Sequence, residues 1–192
     1  MIRTIVFNGP PNSGKDVLGL KVARAFGFNI ASFKDSLYDI IADYFQIEKD
    51  TILSLCNDRE TKEKPSGLLN GLSPRGALIY VSEELIKPTK GEQYFGAKVA
   101  ERLSGTTVLT DGGFDSELAP IVEASDYTLI VRLHREGCSF EGDSRSYISD
   151  EIVSVPGYNV DIIDFNNSGN LKESYNKIIN VVSMKLLQET LR

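Results

Sequence analysis

Gly9-Pro10-Pro11-Asn12-Ser13-Gly14-Lys15 is the stretch on which the fold turns. It has the form GxxxxGK, follows a β-branched and aromatic run from Ile2 to Phe7, and opens a helical pattern from Asp16 to Phe26. Strand, glycine-rich turn and helix form the setting in which this motif carries meaning. Gly9 and Gly14 permit backbone conformations that a Cβ would block. Successive amides then face inward as an anion nest at a helix N-terminus, where the dipole adds positive potential. Lys15 would bring its ammonium to the β- and γ-phosphates of ATP. The bland alternative is a Gly/Pro turn with a surface lysine, and it fits the flanking elements less well.

Outward from this loop, strands and helices alternate. Phe28 to Phe33 reads as a second strand, and Leu37, Ile40, Ile41, Tyr44 and Phe45 mark one face of a helix. In the first helix, Val17, Leu20, Val22 and Ala23 are packing candidates. A short helix is expected over 50–58, then a mobile charged connection from Arg59 to Gly71. Ser73-Pro74 opens a helix that should stop before Pro88, and another is expected over 91–103. Thr106 to Thr110 and Tyr127 to Leu133 are strands, separated by a short helix over 115–124 that contains Pro120. A polar stretch precedes a last strand, Val160 to Phe165. Asn170 and Glu173 resemble a capping box before a closing helix, with Leu171, Tyr175, Ile178, Ile179, Val182 and Leu186 on one face. This order predicts an α/β chain with a parallel sheet of about five strands, helices on both faces, and the three-layer P-loop NTPase fold. One domain spanning 1–192 is expected, with a lid-like insertion at about 136–150.

Composition excludes several classes. With 41% hydrophobic and 25% charged residues in 192, the chain is neither disordered nor fibrous. No apolar run approaches the roughly 18 residues of a membrane span. A net charge of -6 argues against a broad basic nucleic-acid footprint. Cys56 and Cys138 stand far apart, which suits a reduced cytoplasmic chain. A single histidine, His134, makes histidine-based catalytic arrays improbable, and it reads as a strand-end packing residue. Chemistry must then run on Lys, Arg, Asp and backbone.

Asp16 stands where a Ser or Thr usually ligates Mg²⁺. Its carboxylate either binds the ion, directly or through water, or simply favours the helix N-terminus. Thr107-Val108-Leu109-Thr110-Asp111 is an apolar strand ending in aspartate, at the sheet edge where open α/β sheets bind ligands. Phosphoryl transfer also needs cations on the transferred oxygens and on the acceptor. Arg75, Arg132, Arg135 and Arg145 are the candidates.

Ser13-Gly14-Lys15-Asp16 resembles the phosphate loop of phage deoxynucleoside monophosphate kinases, a variant shared with the related animal-type phosphomevalonate kinases. Phe33-Lys34-Asp35-Ser36-Leu37, Ser73-Pro74-Arg75, Asp111-Gly112-Gly113-Phe114-Asp115-Ser116-Glu117 and Ile130 to Arg135 are similar to that family's later segments, in order, from about residue 2 to 147. The resemblance implies a P-loop kinase of the nucleoside monophosphate kinase type, with ATP and Mg²⁺ as cofactors. Gly9, Asn12, Ser13, Gly14, Lys15 and Asp16 would hold the nucleotide, and Asp16 with Asp111 the metal. Lys15, Asp111 and Arg135 would be catalytic, while Phe33, Asp35, Arg75, Glu117, Arg132 and Arg145 would serve the acceptor. Three departures stand out. Gly113 replaces an arginine expected to clamp an acceptor phosphate, Val17 a frequent threonine, and Lys34 a small residue.

The leading expectation is transfer from ATP to a deoxynucleoside monophosphate. A hydroxyl acceptor, such as 5-hydroxymethyluracil in phage DNA, is the alternative, with Asp35 or Asp111 as base and DNA entering only as substrate. A nucleotide-binding protein without catalysis is the third reading. No membrane partner is expected, and the oligomeric state, a homodimer included, is left open.

Overall fold

The computed structural model describes residues 1–58 and 60–191. Five parallel strands form one sheet: β1 (Arg3–Asn8), β2 (Asn29–Ala31), β3 (Thr106–Gly112), β4 (Tyr127–His134) and β5 (Val160–Asn166). Their spatial order is β2-β3-β1-β4-β5. Val6 pairs with Leu109 on one side and Ile130 on the other, so β1 is central. The C-terminal ends of β1, β3 and β4 share one sheet edge, the ligand-binding edge of open α/β sheets.

Alternation along the strands builds a core on each face. Ile5, Phe7, Leu129, Val131 and Leu133 pack with α1 (Lys15–Phe26) and α8 (Leu171–Thr190). Val6, Leu109 and Ile130 pack with α6 (Tyr94–Ala100) and α7 (Asp115–Glu123). Helices over both faces of a parallel sheet, with a phosphate loop after the central strand, make the three-layer P-loop NTPase fold. A third cluster stands beside the sheet, where Leu37, Ile41, Ile52, Leu69, Ala77, Val81 and Phe95 join α2 (Lys34–Phe45), α3 (Lys49–Asn57) and α4 (Pro74–Ile79).

Several local expectations change. The second strand shrinks to Asn29–Ala31, at the sheet edge. Val17 is 46% exposed; α1 instead buries Leu18, Gly19, Val22 and Ala23. A Cβ on Gly19 would lie 2.6 Å from Thr110 Cγ2, so glycine lets α1 sit close on the sheet. Leu171, at the tip of α8, is 52% exposed. Pro88 does not end its helix. A π-helical turn, Tyr80–Ile86, links α4 to α5 (Lys87–Lys90), with the Lys87 amide reaching the Ser82 carbonyl. The wider turn gives the proline ring room where an α-turn would clash. The helix expected over 91–103 is confined to Tyr94–Ala100. The connection expected to be mobile contains a 3₁₀ turn, Gly67–Leu69, whose Leu69 is fully buried; Arg59, its first residue, lies outside the described residues. Among the described residues no helix is long and apolar enough to cross a membrane.

Candidate active site

The phosphate loop leaves β1 at the sheet's centre. Gly14 has φ +100°, and a Cβ there would lie 2.5 Å from Asn167 Nδ2. A Cβ on Gly9 would come within 2.8 Å of the Leu133 carbonyl. Both glycines are therefore required by close approach, and at Gly14 also by backbone conformation. Asn167, just past β5, donates from Nδ2 to the Ser13 carbonyl at 2.7 Å and fixes the loop from behind. Ser13 Oγ is buried with no hydrogen-bond partner among the described atoms. Lys15 Nζ donates to the Pro10 carbonyl at 2.8 Å, folding its ammonium across the loop. Burial, and then Arg145, push the Lys15 amine down to about 8, against the pull of Asp16.

Two cavities meet at Asn12, Lys15 and Asp16. The smaller, about 540 Å³, runs between the loop and Arg135, Glu136 and Cys138. Arg135 Nη1 donates to the Asn12 carbonyl at 3.1 Å. The larger, about 630 Å³, extends from the loop toward the third cluster, past Phe33, Phe95, Phe114 and Leu37. Both volumes fall within the roughly 300–1,000 Å³ of small-molecule sites.

Asp111 and Asp16 both line the larger cavity. Asp111 also accepts from Ser32 Oγ at 2.6 Å and the Phe33 amide at 3.3 Å, which ties β3 to the start of α2. A carboxylate has about four lone-pair sites, so capacity remains for an ion. Among the described residues no three His, Cys, Asp or Glu side chains cluster as a self-sufficient metal site. Two carboxylates lining one cavity with the glycine-rich loop are a donor set that fits Mg²⁺, which is commonly bound by one or two carboxylates, substrate phosphates and water.

Arg75 and Arg145 converge on Asp143. Arg145 donates from Nε at 2.8 Å and Nη2 at 2.6 Å, and Arg75 Nη2 lies 3.7 Å away. The Arg145 guanidinium holds the Asp143 carboxyl down at about 2. A Cβ on Gly113 would lie 2.5 Å from Arg145 Cδ. The space beside Gly113 is thus filled by the stem of Arg145, 32 positions later. The segment carrying Arg145 is anchored to the strands: Asn8 Nδ2 donates to the Ser146 carbonyl at 2.9 Å, and Tyr147 Oη to the Leu133 carbonyl at 3.0 Å.

Glu117 is buried at the larger cavity, 3.4 Å from Lys87 Nζ. Burial pushes its carboxyl up to about 7, despite the pull of Lys87. Two expected acceptor residues lie outside both cavities. Arg132 is clamped by Asp164, at 3.0 and 2.7 Å, and by Asp150 at 2.9 Å. Asp35 turns back to accept the Ser32 amide at 3.1 Å. His134 lies against Tyr147, with centroids 4.6 Å apart and ring planes tilted by 33°, and its Nε2 is 2.6 Å from Asp164 Oδ1. Sequence reading passed over Asn8, Ser32, Asp143 and Asn167. The polar run Asn166-Asn167-Ser168 directly after a strand was a signal for the last of them.

No protein-family model matches the chain, and no curated protein matches it. Solved structures resemble it in overall shape. A gluconokinase from Sinorhizobium meliloti 1021 superposes with a TM-score of 0.48 at 14% identity, covering 98% of this chain and 94% of that one. A sugar kinase from Janibacter sp. HTCC2649 gives 0.46 at 12%, covering 95% of each. Shikimate kinase from Aquifex aeolicus vf5 gives 0.46 at 13%, covering 96% and 98%. The likeness is distant, so the chemistry of the site rests on its own residues.

Proposed function

We propose that this protein is an ATP-dependent P-loop kinase that transfers the γ-phosphoryl group to a deoxynucleoside monophosphate. One observation carries the reading: two ligand-sized cavities meet at Lys15 and Asp16, on the phosphate loop. The smaller then takes ATP and the larger the acceptor. An oxygen of the acceptor phosphate attacks the γ-phosphorus, the bond to the β–γ bridging oxygen breaks, and ADP leaves. A monophosphate is already anionic near neutral pH, so no base is required. The work of the protein is alignment and charge neutralisation.

Lys15 and the loop amides would hold the β- and γ-phosphates, with Arg135 flanking the ATP side. Asp16 and Asp111 would hold Mg²⁺, which neutralises charge on the β- and γ-oxygens when bound. Phe33 would offer an aromatic wall to the acceptor, and Arg75, Arg145 and Glu117 its polar contacts. The chain would act as one domain, with the 136–150 segment as the lid over both ligands, held to the strands at its 146–148 end.

Glu117 favours a second reading. A carboxyl pushed up to about 7 and facing the cavity could serve as base for a hydroxyl acceptor, including hydroxymethyluracil in DNA. An acceptor panel separates the two: ADP release is followed with every deoxynucleoside and ribonucleoside monophosphate, phosphomevalonate and hydroxymethyluracil DNA. The monophosphate reading expects stimulation by one or more deoxynucleoside monophosphates. Stimulation by the modified DNA alone would transfer the assignment to the hydroxyl reading, and ATP binding with no stimulation by any acceptor would remove both.

Lys15 also sets a pH limit. Its ammonium is the form that binds phosphate, so loss of its proton above about pH 8 should weaken ATP capture. A pH profile of kcat/KM for ATP should fall above about 8, because that ratio reports the free enzyme. In Lys15→Arg the alkaline limb should be absent up to pH 10, since guanidinium keeps its charge. An alkaline limb unchanged in that variant would assign it to another group.

A further inference from the structure

Lys34 and Lys62 both line the larger cavity, and neither has an ion-pair partner among the described residues. Two of the acids near Lys62 are taken by arginines. Asp143 is held by Arg145 and Arg75, and Glu63 lies 3.3 Å from Arg75. Burial lowers the Lys62 amine, and Lys34 and then Arg75 lower it further; Lys34 also lowers Lys15. Lys34 is thus in electrostatic range of Lys15 on one side and Lys62 on the other. Lys15, Lys34, Lys62 and Arg75 thus all line one cavity, and neither Lys34 nor Lys62 is in an ion pair among the described residues. The chain carries 27 acidic residues and a net charge of -6, so counter-ions for this pair are not scarce in composition. Like charges gathered in a cavity oppose folding, and an anionic ligand removes the repulsion.

We infer that Lys34 and Lys62, with Arg75 behind them, form the site that captures the phosphate monoester of the acceptor. The inference rests on the kinase reading for the identity of the site and names the residues that select its substrate class. It also explains how the chain manages with Gly113. The resemblance implies an acceptor-binding arginine at that position, just past β3, whereas here Arg145 covers the position and is itself engaged by Asp143. Positive charge for the acceptor comes instead from the start of α2 and from the connection before α4. Lys34 is adjacent to Phe33, and its backbone amide lies 3.4 Å from Asp111 Oδ2, so a phosphate held there sits next to the metal-side carboxylate. Proximity of acceptor phosphate to Lys15 and Asp111 is what in-line transfer requires.

The test measures Lys34→Gln, Lys62→Gln and the double variant by two readouts. Calorimetry follows binding of each deoxynucleoside monophosphate and of its parent nucleoside, without ATP; steady-state kinetics follow KM for monophosphate and for ATP. Wild-type protein should prefer monophosphate to nucleoside by at least about 100-fold. Each single variant should lose roughly 10- to 100-fold of that preference, the size of one hydrogen bond to a charged group. ATP affinity should change less than about threefold in Lys62→Gln, and Lys62→Arg should restore acceptor binding. Thermal unfolding should stay level or rise in both single variants, because a repulsion is removed. If the double variant binds monophosphate as wild type does, the inference is overturned while the kinase reading stands on turnover. If no acceptor is phosphorylated yet monophosphate binding depends on both lysines, the kinase reading fails and the anion site remains.

Discussion

Lys15→Ala is expected to lower phosphoryl transfer at least about 100-fold, the scale seen when one pre-set electrostatic contact to a developing anion is removed. The chain should fold as before. Among the described residues the Lys15 side chain makes one hydrogen bond, to the Pro10 carbonyl, and its ammonium is disfavoured by burial. Removing it relieves a desolvated charge while leaving Gly14 and Asn167 to shape the loop. Thermal unfolding should therefore be unchanged or slightly raised, and the loss should appear in kcat with saturating acceptor. Activity within a few-fold of wild type would mean that the phosphate loop does not hold the transferred group.

Gly96→Ala should be the most damaging single methyl. A Cβ at Gly96 would collide with the backbone carbonyl of Glu117, so α6 and α7 must move apart. Neither backbone can swing aside as a flexible side chain would. The expected loss is about 3 kcal/mol, at the upper end of overpacking effects. For a chain of this size it should lower the melting temperature by roughly 6–12 °C. Glu117 moves with α7, so acceptor KM should rise as well. Gly67→Ala is the control: nothing lies within 4 Å of its added Cβ, and its melting temperature should shift by no more than a degree or two. Equal melting temperatures for the two variants would contradict the tight α6–α7 contact.

What the sequence disclosed depended on how local the signal was. The phosphate loop could be read because seven consecutive residues, the strand before them and the helix after them all agree. The aspartate at the end of β3 and the capping asparagine of α8, whose side chain accepts the Glu173 amide at 2.9 Å, are equally local. Helix faces were harder to read. Val17 and Leu171 satisfied an apolar pattern, yet the burial stripe is set by where a helix lands, and α1 lands on Gly19. Pro88 normally stops a helix, and only the π-helical turn before it cancels the rule. The ion pairs lay furthest from view. Arg132 and Asp164 are 32 positions apart, joined by the pairing of β4 with β5. Gly113 could be read as a missing cation from sequence, but that Arg145 lies across it is a fact of chain return. Lys34 and Lys62 likewise share a wall only because α2, the connection before α4 and the phosphate loop surround one cavity.

The most direct measurement is the destination of the label when γ-³²P-ATP, Mg²⁺ and the deoxynucleoside monophosphates are incubated with wild-type protein and with Lys15→Ala. The account predicts label in the β-position of a deoxynucleoside diphosphate with wild type, and a yield at least about 100-fold lower with the variant. Label found only in inorganic phosphate, or in an equal yield of diphosphate from both proteins, would contradict it.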